Sequence, residues 1–187
     1  MARILRVMVI VVFACNLIAL LFVPPIVGST ALMSNQSLES IMNAWFAAAW
    51  PKEGFPFFIF VIYSWLEGVW EQAYTSVLTL FLLFCGVCTA VILWQGKRVL
   101  DTILKGNPFV MDNARSLKRA AVCCFAISGA ALVRLAWGFA CSQSIAPLLT
   151  YNALFVPMFL MGGLLFMVMS ALFRQAAELK AENDLTI

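Results

Sequence analysis

Apolar residues in this chain are gathered into four long runs rather than alternating with polar residues. The runs cover about residues 4–27, 74–96, 120–141 and 148–173. Each is close to the ~20 residues that an α-helix needs to cross the hydrocarbon core of a bilayer. The pattern therefore predicts an all-α fold, an integral membrane four-helix bundle that forms a single domain.

Composition supports a membrane protein and argues against an enzyme. Of the 187 residues, 64% are hydrophobic and 11% are charged, whereas a soluble domain is about half apolar and a quarter charged. The chain contains no histidine, which removes the commonest general base and the commonest metal ligand. It also lacks a phosphate-binding glycine loop and an acidic metal cluster. We therefore predict no catalytic, cofactor or metal site.

The first apolar run follows two basic residues, Arg3 and Arg6. A cleaved signal peptide begins in the same way. This run is longer than a typical signal core and contains Pro24-Pro25 near its end. These features favour a retained transmembrane helix, with a cleaved signal as the alternative.

Basic residues lie mainly on one side of the predicted spans. Six occupy the segment 97–119, namely Lys97, Arg98, Lys105, Arg115, Lys118 and Arg119, and Arg174 and Lys180 follow the fourth run. The first outer connection has only Lys52 among four glutamates. Under the positive-inside rule, both termini and the turn 97–119 of this multi-pass protein lie in the cytoplasm.

Residues 37–73 are predicted to form an extracytoplasmic helical cap. Apolar residues recur there at helical spacing, which indicates an amphipathic helix at the membrane surface: Leu38, Ile41, Met42, Trp45 and Phe46. For residues 57–66 the sequence leaves three alternatives: a fifth span, a re-entrant segment or an outer extension of the second helix. A fifth span would separate Arg3 and Arg6 from the basic turn, so an outer helix is favoured. The cap either packs over the bundle, which we favour, or binds a ligand.

The cytoplasmic turn has clear helix stop and start signals. Residues 97–105 continue the second helix, Gly106 is suited to the left-handed position that ends it, and Pro108 cannot extend it. Asp112 or Asn113 is expected to cap the next helix. The sequence thus predicts a tight turn between two long helices.

The tail 174–187 is predicted to extend the fourth helix into the cytoplasm. Arg174 and Glu178 are spaced to pair across one helical turn. The apolar end of the tail is suited to docking on the bundle or on a partner. Together the turn and the tail give a candidate partner surface: Asn107, Pro108, Phe109, Asn113, Arg174, Glu178, Glu182, Asn183, Asp184, Leu185, Thr186 and Ile187.

Short motifs in these two segments resemble a known family. They are Gly106-Asn107-Pro108-Phe109 with Asn113 and Leu117, and then Phe173-Arg174, Glu178-Leu179 and Glu182-Asn183-Asp184-Leu185-Thr186-Ile187. Over about residues 75–187 the chain is similar to the bacterial membrane family labelled domain of unknown function 2975. The resemblance implies a small four-helix membrane protein without an established activity. It also implies a cytoplasmic helix-turn-helix regulator of the Cro-repressor type as a partner, because many members are encoded beside one.

Arg134 is the candidate intramembrane polar residue. It lies in the third span, about 22 Å along the helix from Arg119. An arginine at this depth needs a partner or a cavity, and Glu67 and Glu71, four residues apart, are the candidate partners. The functional interpretation is an anion or headgroup site, or a gate. A snorkelling side chain or a structural ion pair is favoured over it.

Cysteine pairs raise the question of redox chemistry. Cys85 and Cys88 have the two-residue spacing of thiol oxidoreductases, and Cys123-Cys124 lies in the next span. Reactive thiolates need a polar setting, however, and these residues lie in apolar sequence. We therefore favour cysteine as a small packing residue. The pair Gly162-Gly163 likewise suits close helix packing, either within one chain or between copies.

Together with the resemblance, these features predict a non-enzymatic bacterial inner-membrane protein with a regulatory or sensory role, which presents its cytoplasmic turn and tail to a partner. A homo-oligomeric transporter or channel is the first alternative, although the spans contain few polar residues to line a hydrated path. A membrane thiol redox protein is the second. Membrane lipid is the expected partner of the basic turn, and direct nucleic-acid binding is not expected.

Overall fold

The computed structural model describes residues 2–32, 61–62, 64–68, 70, 73–142 and 151–184. Four long α-helices account for most of them: α1 (Ala2–Leu32), α2 (Ala73–Leu104), α3 (Met111–Ser142) and α4 (Tyr151–Asp184). A short π-helix covers Ser64–Gly68. These described segments contain no strand, which confirms the predicted all-α class.

Each of the four helices contains a stretch that is long and apolar enough to cross a membrane. These stretches are Arg3–Val27, Ala73–Leu104, Met111–Ala140 and Ala153–Asn183. They extend beyond the apolar runs because the flanking charged residues also favour helix and continue the same hydrogen-bond ladder. The protein is therefore a multi-pass membrane protein, with four such helices in the described part of the chain.

The distribution of side chains between interior and surface also fits a lipid environment. Large apolar residues face outward, such as Val133, Met161 and Leu165, while small residues such as Ala121 and Ala131 are completely buried. Transmembrane helices pack through small residues because burying a large apolar side chain gains little when the surrounding solvent is already apolar. Large exposed apolar side chains are thus expected here.

Contacts divide the chain into two units, Met1–Leu17 with Phe84–Ile187, and Ile18–Leu83. In the first unit, α1 and α2 run antiparallel. Arg6 Nε lies 2.8 Å from Asp101 Oδ1, and the rings of Phe13 and Trp94 lie 5.9 Å apart. The later residue of α1 contacts the earlier residue of α2, as expected for two helices that run in opposite directions.

The remaining helices of this unit continue the antiparallel arrangement. Cys88 on α2 is hydrogen-bonded to Cys123 on α3. Between α3 and α4, Ser170 Oγ donates to the Ala114 carbonyl at 2.7 Å near one end. Towards the other end, Ser128 Oγ donates to a carbonyl of α4 at 3.0 Å. Segments of all four helices therefore form an up-and-down bundle within this unit.

At Gly163, α4 lies very close to α3. A Cβ atom at this position would lie 2.8 Å from Cε1 of the Phe125 ring, whereas one at Gly162 would lie 4.0 Å from Cys124 Sγ. The first distance is shorter than a normal van der Waals contact and the second is ordinary. Of the two glycines, Gly163 is therefore the one that the interface requires, and it packs within the chain.

In the second unit, a tryptophan compensates for a proline within a helix. Pro24 and Pro25 are both buried inside α1. Pro25 has no N–H to donate to the carbonyl four residues earlier, which belongs to Leu21. The indole Nε1 of Trp65 donates to that carbonyl at 3.1 Å. Trp70 Nε1 in turn donates to the Trp65 carbonyl at 3.0 Å.

Most of the predicted outer cap, residues 37–73, lies outside the described residues. This includes the predicted amphipathic helix and most of the segment 57–66, which was considered as a fifth span. The described part contains two residues in helical conformation, 61 and 62, and the π-helix. The role and the membrane depth of the cap stay predictions.

Candidate functional site at the charged end

The antiparallel bundle brings most of the basic residues together at one end, which we call the charged end. It contains the start of α1, the end of α2, the turn 105–110, the start of α3 and the last turns of α4. Apart from Lys52 and Arg134, all of the chain's twelve Lys and Arg residues belong to these segments. The charged end is therefore where the predicted turn and tail lie side by side.

The turn between α2 and α3 begins with a Schellman motif. Gly106 has a φ of 77°, and its N–H donates to the Ile103 carbonyl at 3.1 Å. The Asn107 N–H donates to the Thr102 carbonyl at 3.2 Å. These two bonds satisfy carbonyls that the end of a helix would otherwise leave unpaired. The predicted role of Gly106 is confirmed.

Asn113 lies inside the turn and not on its surface. Only 1% of the residue is exposed. Its Nδ2 donates to the Pro108 carbonyl at 2.7 Å, and its Oδ1 accepts from the Thr102 hydroxyl at 2.8 Å. Asn113 therefore ties the end of α2 to the start of α3 and does not belong to an exposed partner surface.

The start of α3 also differs from the prediction. The helix begins at Met111, and the Asn113 N–H donates to the Val110 carbonyl at 3.0 Å. Val110 therefore occupies the capping position, and neither Asp112 nor Asn113 does. Asp112 instead lies in the first turn, where a carboxylate interacts favourably with the positive end of the helix dipole.

The turn is joined to α4 by two contacts that we call the clasp. Lys180 Nζ donates to Asn107 Oδ1 at 2.6 Å. The rings of Phe109 and Phe173 lie 6.1 Å apart in a tilted arrangement. Asn107, Phe109 and Phe173 all belong to the motifs that carry the family resemblance, so the structure brings the turn and tail motifs into direct contact.

The rest of the predicted partner surface lies mainly on α4. Arg174 Nε is 2.9 Å from Glu178 Oε1, which confirms the predicted pair across one helical turn. Glu182 and Asn183 are exposed. The side chain of Asp184 and all of residues 185–187 lie outside the described residues, so docking of the apolar end stays a prediction.

Arg134 is partly buried in α3. It lies close enough to Cys85 on α2 to interact with it electrostatically. The side chain of Glu67 and the whole of Glu71 lie outside the described residues. Pairing of Arg134 with either glutamate therefore stays a prediction.

Five cysteines whose side chains are described are free thiols: Cys15, Cys85, Cys88, Cys123 and Cys124. Cys88 and Cys124 are buried among the helices. Within the described part of the chain, no group of three or more histidine, cysteine or acidic residues is arranged to hold a metal ion. The structure does bring together one pair that sequence spacing did not indicate, the hydrogen-bonded thiols of Cys88 and Cys123.

Sequence reasoning also missed a groove between α3 and α4 at the charged end. It has a volume of about 320 Å³ and is lined by Met111, Ala114, Arg115, Lys118, Ser170 and Arg174. The spacing of Ala114, Arg115 and Lys118 indicates that they share one side of α3. Nothing in the sequence indicated that Ser170 and Arg174 would lie opposite them.

Comparison with known proteins yields one family. The profile described as protein of unknown function (DUF2975) matches residues 2–187. The match extends beyond residues 75–187, which carried the resemblance, to include the first span and the outer connection. Neither a curated protein nor a solved structure matches the chain.

Proposed function

We propose that this chain, which belongs to the DUF2975 family of proteins of unknown function, is a non-enzymatic bacterial inner-membrane protein with a regulatory or sensory role. The observation that carries the proposal is the clasp, in which Lys180 contacts Asn107 and Phe109 contacts Phe173. It holds the turn and the tail as one surface. A surface that is already ordered loses less conformational entropy when a partner binds.

Charge supports a cytoplasmic location for this surface. The charged end contains all but two of the twelve basic residues, and short loops rich in Lys and Arg remain on the cytoplasmic side of the membrane. A green fluorescent protein fused after Ile187 is therefore expected to fluoresce, because it folds in the cytoplasm. An alkaline phosphatase fused at the same position is expected to be inactive. The opposite result would contradict the proposed orientation.

The exposed part of the surface supports protein binding. Leu179 is 62% exposed and Phe109 is 48% exposed, and Glu182 and Asn183 continue the same helix towards its end. Apolar side chains at a charged end are suited to contacting another protein. The partner that the family resemblance suggests is a cytoplasmic regulator of the helix-turn-helix class.

A photo-crosslinking amino acid at position 179 tests the proposal in living cells. Position 164 is the matched control, because it is also an exposed leucine of α4, 53% exposed, but lies in the middle of the apolar span. We expect a protein adduct from position 179 and only lipid adducts from position 164. Lipid adducts alone from position 179, in a chain that is inserted normally, would contradict a partner-binding role.

Membrane thiol redox is the second candidate, because the Cys88 and Cys123 thiols are hydrogen-bonded across α2 and α3. The step would join their two Sγ atoms, release two protons and pass two electrons to a lipid-soluble quinone. Acid trapping and alkylation of native membranes test it by mass spectrometry. A Cys88–Cys123 disulfide that appears only with oxidised quinone would support this function, and thiols that stay reduced with oxidised quinone would exclude it.

A further inference from the structure

We infer that the groove between α3 and α4 at the charged end binds the phosphate group of an anionic phospholipid. Three of the six residues that line the groove are cations, namely Arg115, Lys118 and Arg174, and no carboxylate from the described part of the chain lines it. The inference does not rest on the proposed partner role, because none of the residues that line the groove forms a clasp contact.

The positive charge of the groove is only partly neutralised by its neighbours. Lys118 is exposed and forms no ion pair with any residue that the structure describes. Arg115 lies 3.5 Å from the exposed carboxylate of Asp112, a distance at which a surface pair contributes little. Arg174 pairs with Glu178 at 2.9 Å. A phosphate group would therefore meet at least one uncommitted cation and two arginines whose own partners are exposed.

The start of α3 adds to this attraction. The helix begins at Met111, and the groove is lined by residues of its first turns. The unpaired N–H groups at a helix start carry partial positive charge, which favours an anion. The hydrogen bond from Ser170 Oγ to the Ala114 carbonyl, 2.7 Å long, fixes the distance between the two helices below the groove. The cations are thus held around a space that the bundle itself defines.

A second groove beside the first favours a lipid over free phosphate. It has a volume of about 450 Å³. Apart from its basic residues, it is lined by apolar or thiol side chains of α2 and α3, namely Val91, Val122 and Cys123. Arg115 and Lys118 line both grooves. A lipid whose phosphate lies at these two side chains has an apolar path for an acyl chain directly beneath, and each buried CH₂ group contributes about 0.8 kcal/mol.

The other basic grooves of the charged end are less suited to an anion. The groove formed by Trp94, Lys97 and Arg98 includes the carboxylate of Asp101. In the groove at the start of α1, Arg6 is already paired with Asp101 at 2.8 Å. Diffuse attraction between a basic surface and anionic lipid does not depend on which cations are present. Binding at a specific site does depend on which cations are present, so substituting individual cations distinguishes a specific site from diffuse attraction.

The test titrates the full-length protein in detergent micelles with phosphatidylglycerol and counts bound lipids by native mass spectrometry. The test variant combines Lys118→Gln with Arg174→Gln. Its matched control combines Lys97→Gln with Arg98→Gln, which removes the same charge from the same end of the molecule. We expect one tightly retained phosphatidylglycerol, at least tenfold weaker binding in the test variant, and little change in the control.

Two further arms identify the source of the phosphate. Phosphatidylcholine, which has no net charge, is expected to be retained weakly, and millimolar inorganic phosphate is expected not to displace phosphatidylglycerol. Displacement by inorganic phosphate would overturn the lipid assignment in favour of a free anion. Equal losses in the test and control variants would overturn the site itself in favour of diffuse attraction. Far-UV circular dichroism checks that each variant is folded. We expect both to be folded, because all four substituted side chains are exposed or partly exposed.

Discussion

The α2–α3 turn and the α3–α4 interface are held together in different ways, although both lie in the same unit. In the turn, Asn113 and Gly106 take part in directional hydrogen bonds that satisfy the ends of two helices. At the interface, Gly163 lies against the Phe125 ring, and the main requirement is the absence of a side chain. One region depends on polar groups that must be paired, and the other depends on shape.

The environment explains this difference. Backbone groups at helix ends are costly if they are buried without a partner, so a turn between two helices needs polar residues at defined positions. Between apolar helices in lipid, expulsion of water contributes nothing, and close contact between complementary surfaces takes its place. Four substitutions test this comparison, in order of decreasing expected effect.

The largest effect is expected from Asn113→Ala. Asn113 is 1% exposed, and the substitution removes both of its side-chain hydrogen bonds, to the Thr102 hydroxyl and to the Pro108 carbonyl. Each lost hydrogen bond contributes about 0.5–1.5 kcal/mol, so thermal unfolding in mild detergent should occur at a clearly lower temperature. Asn107→Ala, in the exposed part of the turn, is the control. Equal stability of the two variants would mean that the turn does not depend on the buried bonds.

Gly163→Ala tests the interface in the same assay. Its Cβ would lie 2.8 Å from the Phe125 ring, so the ring or the helix must move. Gly162→Ala is the matched control, because its Cβ has normal contacts and the gain in helix propensity is the same. We expect Gly163→Ala to be less stable than Gly162→Ala by about 1–3 kcal/mol, the usual cost of overpacking. No difference between them would show that the interface tolerates wider spacing.

Trp65→Phe asks whether a directional bond also matters beside an apolar helix. The substitution keeps an aromatic ring but removes the N–H that donates to the Leu21 carbonyl at 3.1 Å. Because Pro25 cannot supply that donor, we expect a loss of about 1 kcal/mol in stability. Trp70→Phe is the matched control. It also removes an indole donor, but the acceptor of that bond, the Trp65 carbonyl, does not lie four residues before a proline. A larger loss for Trp70→Phe would contradict this explanation.

The smallest effect is expected from Lys180→Met, which removes the hydrogen bond to Asn107 while keeping most of the side-chain volume. Both residues are exposed, and interactions between exposed polar groups contribute about 0–1 kcal/mol. Unfolding should therefore change little. A loss as large as that of Asn113→Ala would show that the clasp stabilises this end as much as the buried turn does.

Local sequence patterns predicted the features that depend on neighbouring residues. The lengths of the apolar runs predicted four helices, which the structure confirms. Gly106 followed by Pro108 predicted the end of α2, and Arg174 four residues before Glu178 predicted their ion pair. In each case the determining interactions lie within about one helical turn along the chain, so the residues needed for the prediction are adjacent in the sequence.

The candidate site was predicted less completely, and Asn113 shows why. Its position near the start of α3 was evident, but its burial follows from how α2 and α3 meet across the turn. The contact between Phe109 and Phe173 and the groove containing Arg174 depend likewise on residues more than fifty positions apart. A helix rotates by about 100° per residue, so a small uncertainty in its orientation changes which side chains face each other.

The sequence by itself determined that this protein is an all-helical membrane protein with most of its basic residues at one end. Lipid selects long apolar helices, and helices of similar length in an antiparallel bundle bring alternate connections to the same side. Only the tertiary structure decided that Gly163 lies against Phe125, that Trp65 compensates for Pro25, and that Arg115, Lys118 and Arg174 surround one groove. These features arise where two segments distant in sequence fit together, and the fit depends on shapes that neither segment specifies alone.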